Sequence, residues 1–175
     1  MIKRLLRTLR AWVNFYLAIH FSQDGEDIVL QQIFAGRRDG FYVDIGAFHP
    51  TLYSNTYWFY LSGWRGINID ARPGAMKAFR KWRSRDINLE TAIGAQAGAL
   101  TYYRLNQPAM NSFDAALTQQ RLADDTSLRL LEEISMPVRS LSSVLDQHLP
   151  PGQTIDFMSI DVEGLDMQVL HSNDF

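Results

Sequence analysis

Apolar residues along the chain gather into short continuous runs, and the runs alternate with amphipathic stretches. Phe41-Tyr42-Val43-Asp44-Ile45, Gly66-Ile67-Asn68-Ile69-Asp70 and Ile155-Asp156-Phe157-Met158-Ser159-Ile160 are too short for helices and apolar on both faces, as buried parallel strands are. Ser22-Gln23-Asp24-Gly25-Glu26 reads as a helix start, with Ile28, Val29, Leu30, Ile33 and Phe34 as the buried face until Gly36. Phe48-His49-Pro50-Thr51-Leu52-Tyr53 is a loop, because Pro50 fits neither a strand nor a helix interior; Ser54 then caps a helix over Asn55–Leu61 that Gly63 ends. Pro73 starts a helix through Lys81 with Met76, Phe79 and Trp82 inward. A strand over 87–93 and an extra strand over Leu100–Leu105 follow.

The remainder is less regular. The polar stretch near 106–126 reads as a lid or loop, Leu128–Ile134 as a helix, Pro137–Ser140 as a short extended piece and Ser143–Leu149 as a helix before Pro150-Pro151-Gly152. After the last strand, Leu165, Met167, Val169 and Leu170 form the buried side of a further helix. The alternating order predicts an α/β domain with a parallel sheet and right-handed crossovers, whose ligand lies outside the carboxyl ends of the strands. Three strands end there in acids: Asp44, Asp70, and Asp161 in Asp161-Val162-Glu163-Gly164.

Composition narrows the class. The 175 residues, 46% hydrophobic and 21% charged, suit one soluble domain over 21–175. The absence of cysteine excludes disulfides and thiol chemistry and agrees with a cytoplasmic setting. With 17 basic against 19 acidic residues, a nucleic-acid partner is not expected. Charge is nevertheless uneven: Lys3, Arg4, Arg7 and Arg10 make residues 1–20 +4, which leaves −6 on the rest for the net −2. That head interleaves Leu5, Leu6, Leu9, Trp12, Val13 and Phe15, the pattern of a basic amphipathic helix. It is expected either to pack on the domain or to touch an anionic membrane peripherally.

The first strand's turn, Asp44-Ile45-Gly46-Ala47-Phe48-His49, carries one glycine where a pyrophosphate-binding turn carries three. A ligand with a sulfonium and an amino-acid tail needs fewer bare backbone positions. Phe41-Tyr42-Val43-Asp44-Ile45-Gly46-Ala47-Phe48-His49-Pro50, Ser54-Asn55-Thr56-Tyr57, Gly63-Trp64-Arg65-Gly66-Ile67-Asn68-Ile69-Asp70-Ala71 and Ile155–Gly164, with Ser22-Gln23 and Glu26-Asp27 upstream, resemble the FkbM family of S-adenosylmethionine-dependent methyltransferases.

The resemblance implies a Rossmann-like fold and methyl transfer from S-adenosyl-L-methionine to a hydroxyl, on a sugar, glycan or small secondary metabolite. It implies that Asp44, Gly46 and Ala47 hold the methionine part of the cofactor, that Asp70 and Ala71 meet the ribose, and that Ala92 and Ile93 flank adenine. Asp161 and Glu163 would then lie by the transferring methyl or the acceptor. Family members carry His-His-Pro where this chain has Phe48-His49-Pro50. Their pattern also continues past the position of Phe175, so a sheet incomplete after its fourth core strand, with that edge unpaired, is expected.

Each candidate has a plainer reading. Asp44 and Asp70 could cap turns or helices, and Asn55 and Thr56 could either present donors to the cofactor carboxylate or only start a helix. For removing a proton from the acceptor, Asp161 stands first and His49 second, although His49 could be a packed loop residue. Asp161, Glu163 and His49 could together bind a metal, but two local acids are a thin ligand set and none is expected. Glu163 could instead cap the last helix, and Asn111-Ser112-Phe113 could touch substrate or form a turn. The competing functions are a non-catalytic cofactor-binding fragment and a membrane-apposed interaction protein.

Overall fold

The computed structural model describes residues 19–174, so the expected N-terminal helix lies outside the described residues apart from its last two positions. Elements run α1 (Glu26–Ile33), β1 (Phe41–Ile45), α2 (Tyr57–Leu61), β2 (Arg65–Asp70), α3 (Met76–Trp82), β3 (Ile87–Glu90), β4 (Ala92–Ile93), β5 (Gly98–Leu105), a 3-10 turn (Pro108–Met110), α4 (Ala115–Asp124), β6 (Leu130–Arg139), α5 (Leu141–His148), β7 (Phe157–Ile160) and α6 (Asp166–His171).

The central sheet is parallel throughout, in the order β3-β2-β1-β7. β1 lies inside it and is buried along its whole length, which is why its sequence shows no polar alternation. On one face Val43, Ile45, Ile67 and Ile69 pack with Leu141, Val144 and Leu145 of α5 and Val169 of α6. On the other, Tyr42, Phe59 and Trp64 form an aromatic cluster joined by Phe34 and Phe157. This is a Rossmann-like three-layer arrangement, with helices against both sides of a parallel sheet.

A second sheet, β4-β6-β5, sits beside the first. The expected strand over 87–93 divides between them: β3 pairs with β2, Thr91 N–H donates to Asp70 C=O at 3.1 Å, and β4 then pairs with β6. Leu128–Ile134, expected as a helix, is mostly the start of β6, which is antiparallel to β5. Cross-strand pairs Tyr102 with Ile134 and Leu100 with Met136 supply the period-2 pattern that Leu130-Leu131-Glu132-Glu133 obscures. The expected loop near 106–126 contains α4, whose N-cap Asp114 accepts the amides of Ala116 and Leu117.

Helix faces also differ from expectation. Val29, Ile33, Trp82 and Met167, read as inward, are exposed. In α1 the fully buried residue is instead Asp27, which accepts Phe21 N–H at 2.8 Å and the Ser22 hydroxyl at 2.7 Å. α2 begins at Tyr57, two residues later than expected, so its N-cap is Thr56 and not Ser54, although Ser54 Oγ accepts Tyr57 N–H at 3.1 Å. Pro73 lies in a turn ahead of α3 and not in its first turn.

Candidate active site

β2, β1 and β7 are neighbours, so Asp70, the turn after Asp44, and Asp161 emerge side by side at the carboxyl edge of the sheet. The turn is pinned from both sides. Gly46 and Ala47 donate their N–H groups to Ile69 C=O at 2.9 and 3.0 Å, and Asp161 N–H donates to Ile45 C=O at 2.9 Å. Gly46 has φ 80°, and a Cβ there would lie 1.8 Å from the Asp161 carbonyl oxygen. The glycine is therefore required by the approach of two strand ends as well as by its left-handed conformation.

A cavity of about 340 Å³ opens over this edge, within the roughly 300–1,000 Å³ usual for small-molecule sites. Gly46, Asn55, Asp70, Ala71, Ile93, Asp161 and Glu163 line it. Asp44, Ala47, Thr56 and Ala92 stand behind that wall. Asp44 is buried and accepts the Thr56 hydroxyl at 2.6 Å; burial pushes its carboxyl up to about 6 against the Thr56 bond, which favours the charged form. Ala47 packs on Met76 and Phe79, and Ala92 sits in the interior behind Ile93.

Asp70 is held by its own neighbours. Its two oxygens accept Phe48 N–H at 2.8 Å and Arg72 N–H at 2.7 Å, leaving lone pairs on both for a ligand. Burial raises its pKa while these bonds and the Arg72 charge oppose the rise. Asn55 reaches across to β7, donating Nδ2–H to the Ser159 hydroxyl at 3.0 Å.

Asp161 is an exposed side chain that lines the cavity. Partial enclosure, then the nearby carboxylates of Glu163, Asp166 and Glu26, raise its pKa, against the pull of Arg121. Glu163 does not cap α6. It adopts a left-handed φ of 56°, and its carboxylate pairs with Arg121 of α4. A bulky residue in that conformation is strained and must be held by its surroundings.

His49 is not brought to the acids. Its Nδ1 accepts the backbone amides of Thr51 and Leu52 at 3.2 and 3.1 Å, and it lies in a separate shallow depression with Pro50, Pro73 and Ala78. Burial and the Arg72 charge lower its pKa. Among the described residues no three His, Cys, Asp or Glu side chains are grouped to hold a metal ion.

Two contributors, Arg83 and Tyr102, have no counterpart among the residues singled out in the sequence. Arg83, wholly buried at the end of α3, donates to Asp86, the Tyr42 and Thr56 hydroxyls, Asn68 Oδ1, Pro50 C=O and Ser54 Oγ. Its only sequence signal is Asp86 three residues on, which reads as an ordinary surface pair. Tyr102 of β5 lines the cavity and accepts Asn111 Nδ2–H through its hydroxyl at 2.9 Å. Asn111, Ser112 and Phe113, expected either to touch substrate or to form a turn, also line the cavity.

The domain model described as "Methyltransferase FkbM domain" matches residues 44–175, from the last two residues of β1 through β2, β3 and β7 of the central sheet. The chain belongs to the FkbM methyltransferase family. No curated protein and no solved structure matches it. In this FkbM domain the stretch before residue 44 still contributes to the cavity, since Gln23, Asp24 and Glu26 form one side of its wall.

Proposed function

We propose that the protein is an S-adenosyl-L-methionine-dependent O-methyltransferase whose acceptor is a hydroxyl on a sugar, other glycan unit or small metabolite. The observation that carries the cofactor reading is the charge of the cavity. Among the described residues five carboxylates, those of Asp24, Glu26, Asp70, Asp161 and Glu163, line it against one cation, Arg72, whose guanidinium lies over the Phe48 ring. Such a wall suits a ligand with a sulfonium and an ammonium and repels a pyrophosphate. Gly46 adds to this, since its turn has one bare position where a dinucleotide cradle needs several.

When bound, the cofactor supplies a methyl group already activated by its sulfonium. The chain's task is then alignment and exclusion of water. Asp70 accepts the ribose hydroxyls through its remaining lone pairs, Ala71 and Ile93 flank the adenine with Ala92 behind, and the Gly46–Ala47 turn and Asn55 hold the methionine part. Asp44 and Thr56 support that turn from beneath. Asp161 takes the proton of the acceptor hydroxyl, a role its raised pKa favours; Glu163 stands beside it, and His49 has no part. Among the described residues no helix is long and apolar enough to cross a membrane; we read the setting as cytoplasmic, with the basic residues 1–20 as a peripheral membrane contact.

Calorimetric titration with S-adenosylhomocysteine and with NAD tests this reading. The first ligand is expected to bind and the second not. Asp70→Asn, which keeps an acceptor for one backbone amide, is expected to weaken the first by about 1.5–3 kcal/mol, the worth of hydrogen bonds to a charged group. Binding of NAD alone would overturn it.

A further inference from the structure

The segment between β5 and β6 closes one side of the cavity, and its attachment to the acidic turn after β7 converges on one residue. Ser112 donates its hydroxyl to Glu163 C=O at 2.8 Å. Arg121 pairs with the Glu163 carboxylate through one terminal nitrogen and donates from the other to Met110 C=O at 3.0 Å, so a single guanidinium ties the 3-10 turn, α4 and the β7 turn together. Gly164, with φ 103°, lies under the same helix: a Cβ there would meet Leu117 at 3.2 Å. Glu163, two residues from Asp161, is left-handed in this arrangement.

We propose that Arg121 is a positioning residue for methyl transfer: by holding Glu163 in its left-handed turn it fixes Asp161 toward the cavity and neutralises the carboxylate beside it. The inference rests on the reading of Asp161 as proton acceptor. Among the described residues four charged groups act electrostatically on Asp161: Glu163 from the same turn, Asp166 from α6, Glu26 from α1 and Arg121 from α4. Three are acids. Arg121 is the one cation among them, so its loss leaves Asp161 among uncompensated negative charge, where it holds its proton to higher pH. Arg121 does not line the cavity, so ligand affinity should depend on it little.

Carbon-detected NMR titration of the Asp161 carboxyl on the intact chain tests this without an acceptor. In Arg121→Met the titration midpoint is expected to rise by about half a unit or more, and in Arg121→Met/Glu163→Gln to return toward the parent, as expected of nearby charges. Arg121→Lys should give an intermediate midpoint. A structural role alone would not be rescued by Glu163→Gln. Should Arg121→Met fail to fold, Glu163→Gln alone, which leaves Arg121 in place, is expected to lower the midpoint. An unmoved Asp161 midpoint in these variants overturns the proposal. S-adenosylhomocysteine calorimetry on the same samples separates the two levels: binding kept within about threefold with an unmoved midpoint refutes only the role of Arg121, whereas no binding by the parent refutes the underlying reading.

Discussion

Two arginines serve the two sides of the cavity in opposite ways. Arg83, under the first half of the sheet, has a side chain with no solvent exposure and donates to six acceptors. Arg121, on the capping side, is partly exposed and holds one carboxylate and one carbonyl. The first is a fixture: it joins Asp86, Asn68, Tyr42, Thr56 and the 50–54 loop into one network, and through Thr56 reaches Asp44. The second is a fastening between segments that make few other polar contacts with each other. A guanidinium's five donors can thus build a floor where burial is complete, or fasten a wall where solvent competes.

The largest expected effect follows from breaking the floor. Arg83→Met leaves Asp86 and Asn68 without their cation and should cost about 3–5 kcal/mol, the usual penalty for removing one partner of a buried ion pair. Urea denaturation would read it, and a loss below about 1 kcal/mol would show that the network is dispensable. Gly46→Ala comes next, at about 2–4 kcal/mol, because the new Cβ meets backbone and not a flexible side chain. Thermal melts would check it.

Asp44 gives a pH-dependent test of the same floor. Its folded pKa, raised from 3.8 to about 6, makes the folded state the better proton binder. The stability this confers is fully present below 3.8 and is lost as pH rises through about 6. Replacement by asparagine, which still accepts from Thr56, should therefore remove a fall of up to about 3 kcal/mol between those limits. Parallel parent and variant curves across that window would contradict the assignment. On the capping side, Arg121→Met should cost only about 1 kcal/mol or less of global stability, as partly exposed pairs do, while exposing the 106–126 segment to protease. A global loss as large as that of Arg83→Met would erase the contrast between the two sides.

The floor was far more legible in the sequence than the cap. Short, largely apolar runs with an acid at or beside their end, Asp44, Asp70 and Asp161, announce a parallel sheet and the edge where ligands bind, because β1 and β2 are buried on both faces and show no polar alternation. Arg83 was hidden because a charged residue at a helix end ordinarily faces water, and only the tertiary fold shows it enclosed. The cap failed differently: Leu130-Leu131-Glu132-Glu133 has helical spacing, and its strand character comes from pairing with β5. His49 was plausible as a base by residue type, yet the neighbouring Thr51 and Leu52 amides use its ring nitrogen, a local contact that residue type does not reveal.

Amide chemical-shift mapping with S-adenosylhomocysteine tests the proposed site most directly. The largest changes are expected at Gly46, Asn55, Asp70, Ala71 and Ile93, with smaller ones at Ser112 and Glu163. Changes confined to the depression around His49, Pro73 and Ala78, or none at millimolar ligand, would contradict the assignment of the cavity at the sheet's carboxyl edge as the cofactor site.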